Sequence, residues 1–234
     1  MSKKKARWRK LDNAAKLYSA ASNKKDTRVF RFYCELKEKV DSDVLQEALN
    51  QTIETFPTFL MVLRKGFFWH YLEPCNLRPI VKEEYKEPCS RLYIRDKKTL
   101  LFEVTYYKKR INFEVFHVLT DGTGATEFLK ELVKNYLYFA HKEEGLEQVA
   151  LLPEDMTVQD QEDDSFLKYY SKDQKRPKKR KLNAFQIRRK KKDGNHLHVH
   201  ESVVSVQAVL KRSRELGVSM TIFLTALFMM AINE

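Results

Sequence analysis

Between Leu100 and Tyr136 the hydrophobic period of the chain switches from two to 3.6 within a few residues, and nothing else in the sequence restricts the fold as much. Leu100 to Tyr107 and Ile111 to His117 both read as strands. Only the charged Lys108 to Arg110 lies between them, so the two are expected to pair antiparallel. Alternation in the second strand sets Ile111, Phe113, Val115 and His117 on one face and Asn112, Glu114 and Phe116 on the other. After Asp121 to Gly124, a helical stripe follows through Ala125, Phe128, Leu129, Leu132, Val133 and Tyr136. This strand, turn and helix predict an α/β chain.

Other segments fit that class. Arg28 to Leu36 alternates as a half-buried strand, with Phe30, Phe32, Cys34 and Leu36 on one face. Asp41 to Asp43 then offer an N-cap, and Val44, Leu45, Ala48, Leu49, Ile53 and Phe56 keep helical spacing until Pro57 ends it. Phe59 to Leu63 and Phe67 to Leu72 read as a hairpin joined through Arg64, Lys65 and Gly66, and Glu73 to Ser90 as loop. Near the C-terminus, His196 to Val204 predicts a strand and Val206 to Leu216 a helix, with Gly217 as its stop. The apolar run Val218 to Ile232 is short of the ~20 residues a membrane-spanning helix needs, so a buried core helix is expected.

Net charge is +12, but its distribution removes most of its meaning for the folded body. Lys168 to Lys192 holds 13 Lys or Arg and one acid, a net +12 by itself, so the remainder is neutral. With the acidic block before it, this segment predicts a solvated linker and no nucleic-acid partner, since it has few aromatics and no recognisable docking fold. Cys34, Cys75 and Cys89 show no CxxC spacing and fit reduced thiols. The basic N-terminus lacks the apolar core of a secretion signal, and a cytoplasmic location is expected. His196, His198 and His200 alternate on one strand face without a further convergent ligand, which predicts a solvent-facing row and no metal site.

His117 and the Asp121-Gly122 pair form the pattern HxxxDG, for which chance in this composition gives on the order of 0.01 matches. A histidine at the mouth of a strand can take a proton near neutral pH, its ordinary pKa being about 6.5. Asp121 is expected to hold the loop, and Gly122 to supply an unusual φ to the turn. The residues alone leave open whether His117 is a base or a structural histidine beside a capping turn.

FHVLTDGTGATEFLKELV, following two paired strands, resembles the HxxxDG region of the coenzyme-A-dependent acyltransferase superfamily, which includes chloramphenicol acetyltransferase, condensation domains and alcohol acyltransferases. The resemblance implies a chloramphenicol-acetyltransferase-like fold, an α+β two-layer sandwich with a mixed sheet covered by helices. It makes His117 the general base and gives Asp121 a mainly salt-bridging role, for which Arg28 and Arg31 are candidate partners. The co-substrate would be an acyl-CoA or acyl-carrier thioester, with no permanently bound cofactor, and the acceptor an alcohol or amine. Many two-half members carry a double histidine where this chain has Phe116 before His117. GVSMTIFLTALF resembles the helix that opens their second half. Residues 1–150 are thus expected to form the half bearing HxxxDG, 151–195 a charged linker or crossover, and 196–234 the start of an incomplete C-terminal half. No DFGWG-type motif is present, so a fragment of a longer enzyme is expected, or a short member completed by oligomerising. The apolar C-terminal helix predicts self-association. The competing expectation is a non-catalytic interaction or dimerisation module of the same fold.

Overall fold

A computed structural model describes residues 8–24, 26–66, 69–95, 97–145 and 201–233. They fall in two compact units, Met1–Asp173 and Gln174–Glu234. The first contains strands β1 (Arg9–Lys10), β2 (Val29–Glu35), β3 (Met61–Lys65), β4 (His70–Pro74), β5 (Lys82–Glu83), β6 (Phe102–Tyr107) and β7 (Arg110–Phe116), and helices α1 (Asn13–Ala21), α2 (Ser42–Thr55) and α3 (Gly122–Ala140). The second contains helices α4 (Val206–Glu215) and α5 (Met220–Asn233).

Four strands make the main sheet in the order β2-β7-β6-β5, antiparallel except for the β5–β6 pair, and β1-β4-β3 make a smaller one. The fold is therefore mixed α/β with two sheets, as expected. Tyr107 pairs with Arg110, so the β6–β7 turn is only Lys108 and Lys109, with Lys108 left-handed at φ 53°. Arg110 belongs to the strand and not, as expected, to the turn. The β3–β4 hairpin also forms, but it lies two residues later than the hydrophobic runs suggested: Met61 pairs with Pro74 and Lys65 with His70. Phe59, expected in the strand, sits in a 3-10 turn after Pro57 and is buried instead.

Helix α2 starts where Asp41 accepts hydrogen bonds from the amides of Asp43 (2.8 Å) and Val44 (3.1 Å). Its buried residues Leu45, Ala48, Leu49 and Thr52 face α3, and Thr52 accepts from Asn135 at 3.0 Å across the helix pair. The Tyr136 hydroxyl accepts from the Asp41 amide at 2.9 Å, tying α3 to the start of α2. Phe128 carries α3 onto the sheet. Its ring stacks on Phe113 of β7 at 4.6 Å and on Phe59 at 4.4 Å. Truncating a phenylalanine so enclosed costs about 3–5 kcal/mol.

Side chains of β7 alternate as expected, but burial does not: every residue from Ile111 to Phe116 is buried. The face of Ile111, Phe113 and Val115 meets α3. Residues of the Glu84–Tyr93 stretch cover the opposite face, where Tyr93 stacks on Phe116 at 6.0 Å and the Cys89 amide donates to Glu114 at 2.7 Å.

In the second unit α4 closes on Gly217, left-handed at φ 67°, with the amides of Gly217 and Val218 donating to Arg214 and Ser213. This is the predicted stop, in Schellman geometry. Helix α5 meets α4 at 90°. No residue of α5 is buried, and Phe228, Met229 and Met230 are all about two-thirds exposed (66%, 65% and 64%). The expected buried core helix is thus corrected: its apolar run forms the helix, but α4 does not cover it. No described helix is long and apolar enough to cross a membrane. Residues 201–204 carry no strand, and the linker expected over 151–195 and the row His196, His198 and His200 lie outside the described residues.

Candidate active site

Strand β7 ends one residue before His117, and the ladder to β2 is prolonged by one bond there. Val29 pairs with Phe116, and the His117 amide then donates to the carbonyl of Arg28 at 3.0 Å. Arg28 is left-handed at φ 55°, which for a non-glycine residue costs of order 1–3 kcal/mol and persists only where neighbours enforce it. The Leu119 amide returns to the Phe116 carbonyl at 2.8 Å and turns the chain away from the sheet. Asp121 then caps α3, its Oδ1 accepting from the Gly124 amide at 2.9 Å.

The His117 imidazole is half-buried between aromatic rings from two other elements. Tyr18 of α1 lies nearly parallel to it, with centroids 4.1 Å apart and planes 16° apart. Phe30 of β2 is tilted against it at 4.6 Å and 50°. Nδ1 is buried without a hydrogen-bond partner, and among the described residues none bonds the ring. A proton on Nδ1 would leave a buried donor unpaired, a cost of about 1–3 kcal/mol. Ring contacts, and not a hydrogen-bonded carboxylate or carbonyl, therefore set the orientation of this imidazole.

Two expectations about the turn change. Gly122 is the first residue of α3 and does not take a left-handed φ, and a Cβ there would meet only Phe32 Cζ at 3.9 Å. The crowded glycine of the turn is Gly124, where a Cβ would stand 2.2 Å from Thr120 Oγ1. Among the described residues, neither candidate arginine reaches Asp121. Arg28 pairs with Asp26 at 2.8 Å, and Arg31 with Glu84 at 2.6 Å and Glu114 at 2.8 Å. Capping already occupies one oxygen of the exposed Asp121 carboxylate, whereas Glu114 is nearly fully buried and Arg31 faces it directly across the β2–β7 register.

These charges form a network beneath the site strand. Glu114 Oε1 accepts from Arg31 Nε (2.8 Å) and the Cys89 amide (2.7 Å), while Glu84 accepts from Arg31 and from Arg110 at 3.2 Å. Burial works to lower the Arg31 pKa, but hydrogen bonds and charge from Glu84 and Glu114 outweigh it and raise the value. Burial, then the Glu114 charge, pushes the Cys89 thiol up against a smaller opposing effect of Arg31. Burial raises Cys34 and Cys75 as well, so all three free cysteines are poor thiolate nucleophiles at neutral pH.

Sequence reading did not single out Tyr18, Glu114 or Gly124. Helix α1 had a usable signal, since Asp12 accepts from the Ala15 amide at 2.6 Å as its N-cap and Leu11 just before it, Ala15 and Tyr18 stand at helical spacing. A buried Glu in an alternating strand has no local signature.

No family model and no curated protein matches the sequence. Among solved structures, the chain is similar to the starter condensation domain of rhizomide synthetase RzmA, at 12% identity over 62% of this chain and 40% of that one, with a TM-score of 0.49. It is also similar to the first condensation domain of the calcium-dependent antibiotic synthetase (14% identity, 63% and 40%, TM-score 0.47). A third similarity is to polyketide synthase associated protein 5 from Mycobacterium tuberculosis (16% identity, 62% and 36%, TM-score 0.45). The chain spans about two fifths of the length of the condensation domains it matches.

Proposed function

We propose that the first unit carries the general base of an acyltransferase that moves an acyl group from a CoA or carrier thioester to an alcohol or amine. The observation that supports this reading is the presentation of His117. Its backbone is held to Arg28 at the end of the central strand, and its Nδ1 is turned into the protein, which leaves Nε2 as the nitrogen to meet an acceptor. In this reading the neutral ring carries its proton on Nδ1, at the cost of about 1–3 kcal/mol for an unpaired buried donor, and Nε2 takes the acceptor proton while the acceptor oxygen or nitrogen attacks the thioester carbonyl. The tetrahedral oxyanion collapses and expels the thiolate, which takes up a proton to leave as the thiol. Asp121 and Gly122 serve by starting α3, the former through its cap.

Release of free thiol from acetyl-CoA and octanoyl-CoA, with and without an amine or alcohol acceptor, tests the proposal on the chain and its His117→Ala variant. General-base catalysis is worth about 10²–10⁴-fold, and a loss of that size is expected. Turnover that survives the substitution removes His117 from the mechanism.

A second reading, a non-catalytic association module, is favoured by one observation: among the described residues of its unit, the apolar surface of α5 is left exposed. Concentration-dependent self-association that α5 substitutions such as Phe228→Lys abolish, in a chain inactive toward both thioesters, is the result that favours it.

A further inference from the structure

We infer that Tyr18 is the positioning residue for His117, so that the N-terminal helix α1 is part of the site. This rests on the reading of His117 as a base. An activated base is ordinarily held by a third group hydrogen-bonded to its far nitrogen, and here that nitrogen, Nδ1, is buried with no partner among the described residues. What restrains the ring is aromatic contact. Tyr18 covers one face at 4.1 Å with planes 16° apart, and Phe30 meets the ring at 4.6 Å. The two contacts differ in kind. Phe30 belongs to β2, the strand whose neighbour Arg28 already holds the His117 amide, whereas Tyr18 comes from an independent element.

Helix α1 is anchored for this task. Leu11 and Ala15 are buried in the same core as Val29 and Val115, the Asp12 cap fixes its start, and the Ser22 hydroxyl donates to the Thr27 carbonyl at 3.1 Å just ahead of β2. The side chain of Tyr18 is thus presented from a fixed backbone. Stacked rings favour offset, near-parallel contact through their faces, so the aromatic face of Tyr18 is the active part and its hydroxyl is not needed for positioning.

The test uses the full chain with histidine side chains isotopically labelled, the His117 signals being those lost in His117→Ala. In the parent, nuclear Overhauser effects between the Tyr18 and His117 rings are expected, with His117 ring protons shifted upfield by the Tyr18 face. Tyr18→Phe is expected to retain the upfield shift, and Tyr18→Leu, which keeps apolar bulk and helix propensity, to lose it. In the thioester assay Tyr18→Leu is expected to lower kcat about 10²-fold with KM unchanged, the scale of a base displaced by about 1 Å, and Tyr18→Phe to rescue it. Absence of the ring-to-ring effects in the folded parent overturns the inference. So does an unchanged His117 signature in Tyr18→Leu, or a Tyr18→Phe that behaves like Tyr18→Leu. Should Tyr18→Leu fail to fold, the parent and Tyr18→Phe spectra decide. The spectra judge positioning even in a chain without turnover, whereas loss of the proposed function itself is read from His117→Ala.

Discussion

Replacing Glu114 by Ala probes how the charged network holds the strand that presents His117. Glu114 is 2% exposed, and its Oε1 serves both Arg31 and the Cys89 amide. Breaking a buried ion pair from one side costs about 3–5 kcal/mol, because the remaining charge is left in the interior. Arg31 keeps Glu84 at 2.6 Å, so the electrostatic part falls toward the lower end. The stranded Cys89 amide adds part of the roughly 1–3 kcal/mol of an unsatisfied buried donor. A loss of about 4 kcal/mol is therefore expected, or roughly 8–16 °C in Tm for a chain of this size. Thermal unfolding followed by circular dichroism measures it. Glu114→Gln retains an acceptor for Cys89 and is expected to lose less. Arg31→Met combined with Glu114→Leu removes both charges and should destabilise by less than the sum of the two single changes, with coupling of about 1–3 kcal/mol. A Glu114→Ala variant within about 0.5 kcal/mol of the parent, or strictly additive single changes, refutes the reasoning.

Gly124→Ala is expected to destabilise by about 1–2 kcal/mol as Thr120 is forced to move, whereas Gly122→Ala, whose Cβ makes only an ordinary contact with Phe32 at the helix start, is expected to be neutral or stabilising by up to about 1 kcal/mol; urea denaturation of both separates them. Asp121→Ala should cost about 0.5–2 kcal/mol through loss of the α3 cap, and Asp121→Asn should recover most of it in the same assay. His70 has a pKa lowered by burial first and by the charges of Lys65 and Arg95 second, so between its folded value and 6.5 the unfolded chain binds the extra proton. Stability is therefore expected to fall as pH drops below about 6.5, and His70→Gln should flatten that part of the stability profile measured by denaturant titration.

Much of this architecture is legible in local patterns, and much of the candidate site is not. Period-two and period-3.6 runs predict β6, β7, α2 and α3 because side-chain direction follows from backbone geometry alone. Asp41 and Gly217 are read correctly as a cap and a stop for the same local reason. The start of β3 was misread by two residues because Pro57 starts a 3-10 turn that draws Phe59 into the core, and apolar character does not distinguish strand from turn.

What the sequence determined by itself is the succession of β2, α2, the β3–β4 hairpin, β6, β7 and α3, and the placing of one histidine between the central strand and a capped helix. Only the tertiary structure decided what surrounds that histidine. Tyr18 and Phe30 reach it from distant segments, Arg31 turns to Glu114, 83 residues away, in place of Asp121, and Gly124, not Gly122, is the crowded glycine. The same holds for α5, whose apolar composition predicted burial that α4 does not supply. Periodicity is a property of neighbouring residues, while partner choice, burial and ring orientation depend on which distant surfaces packing brings together.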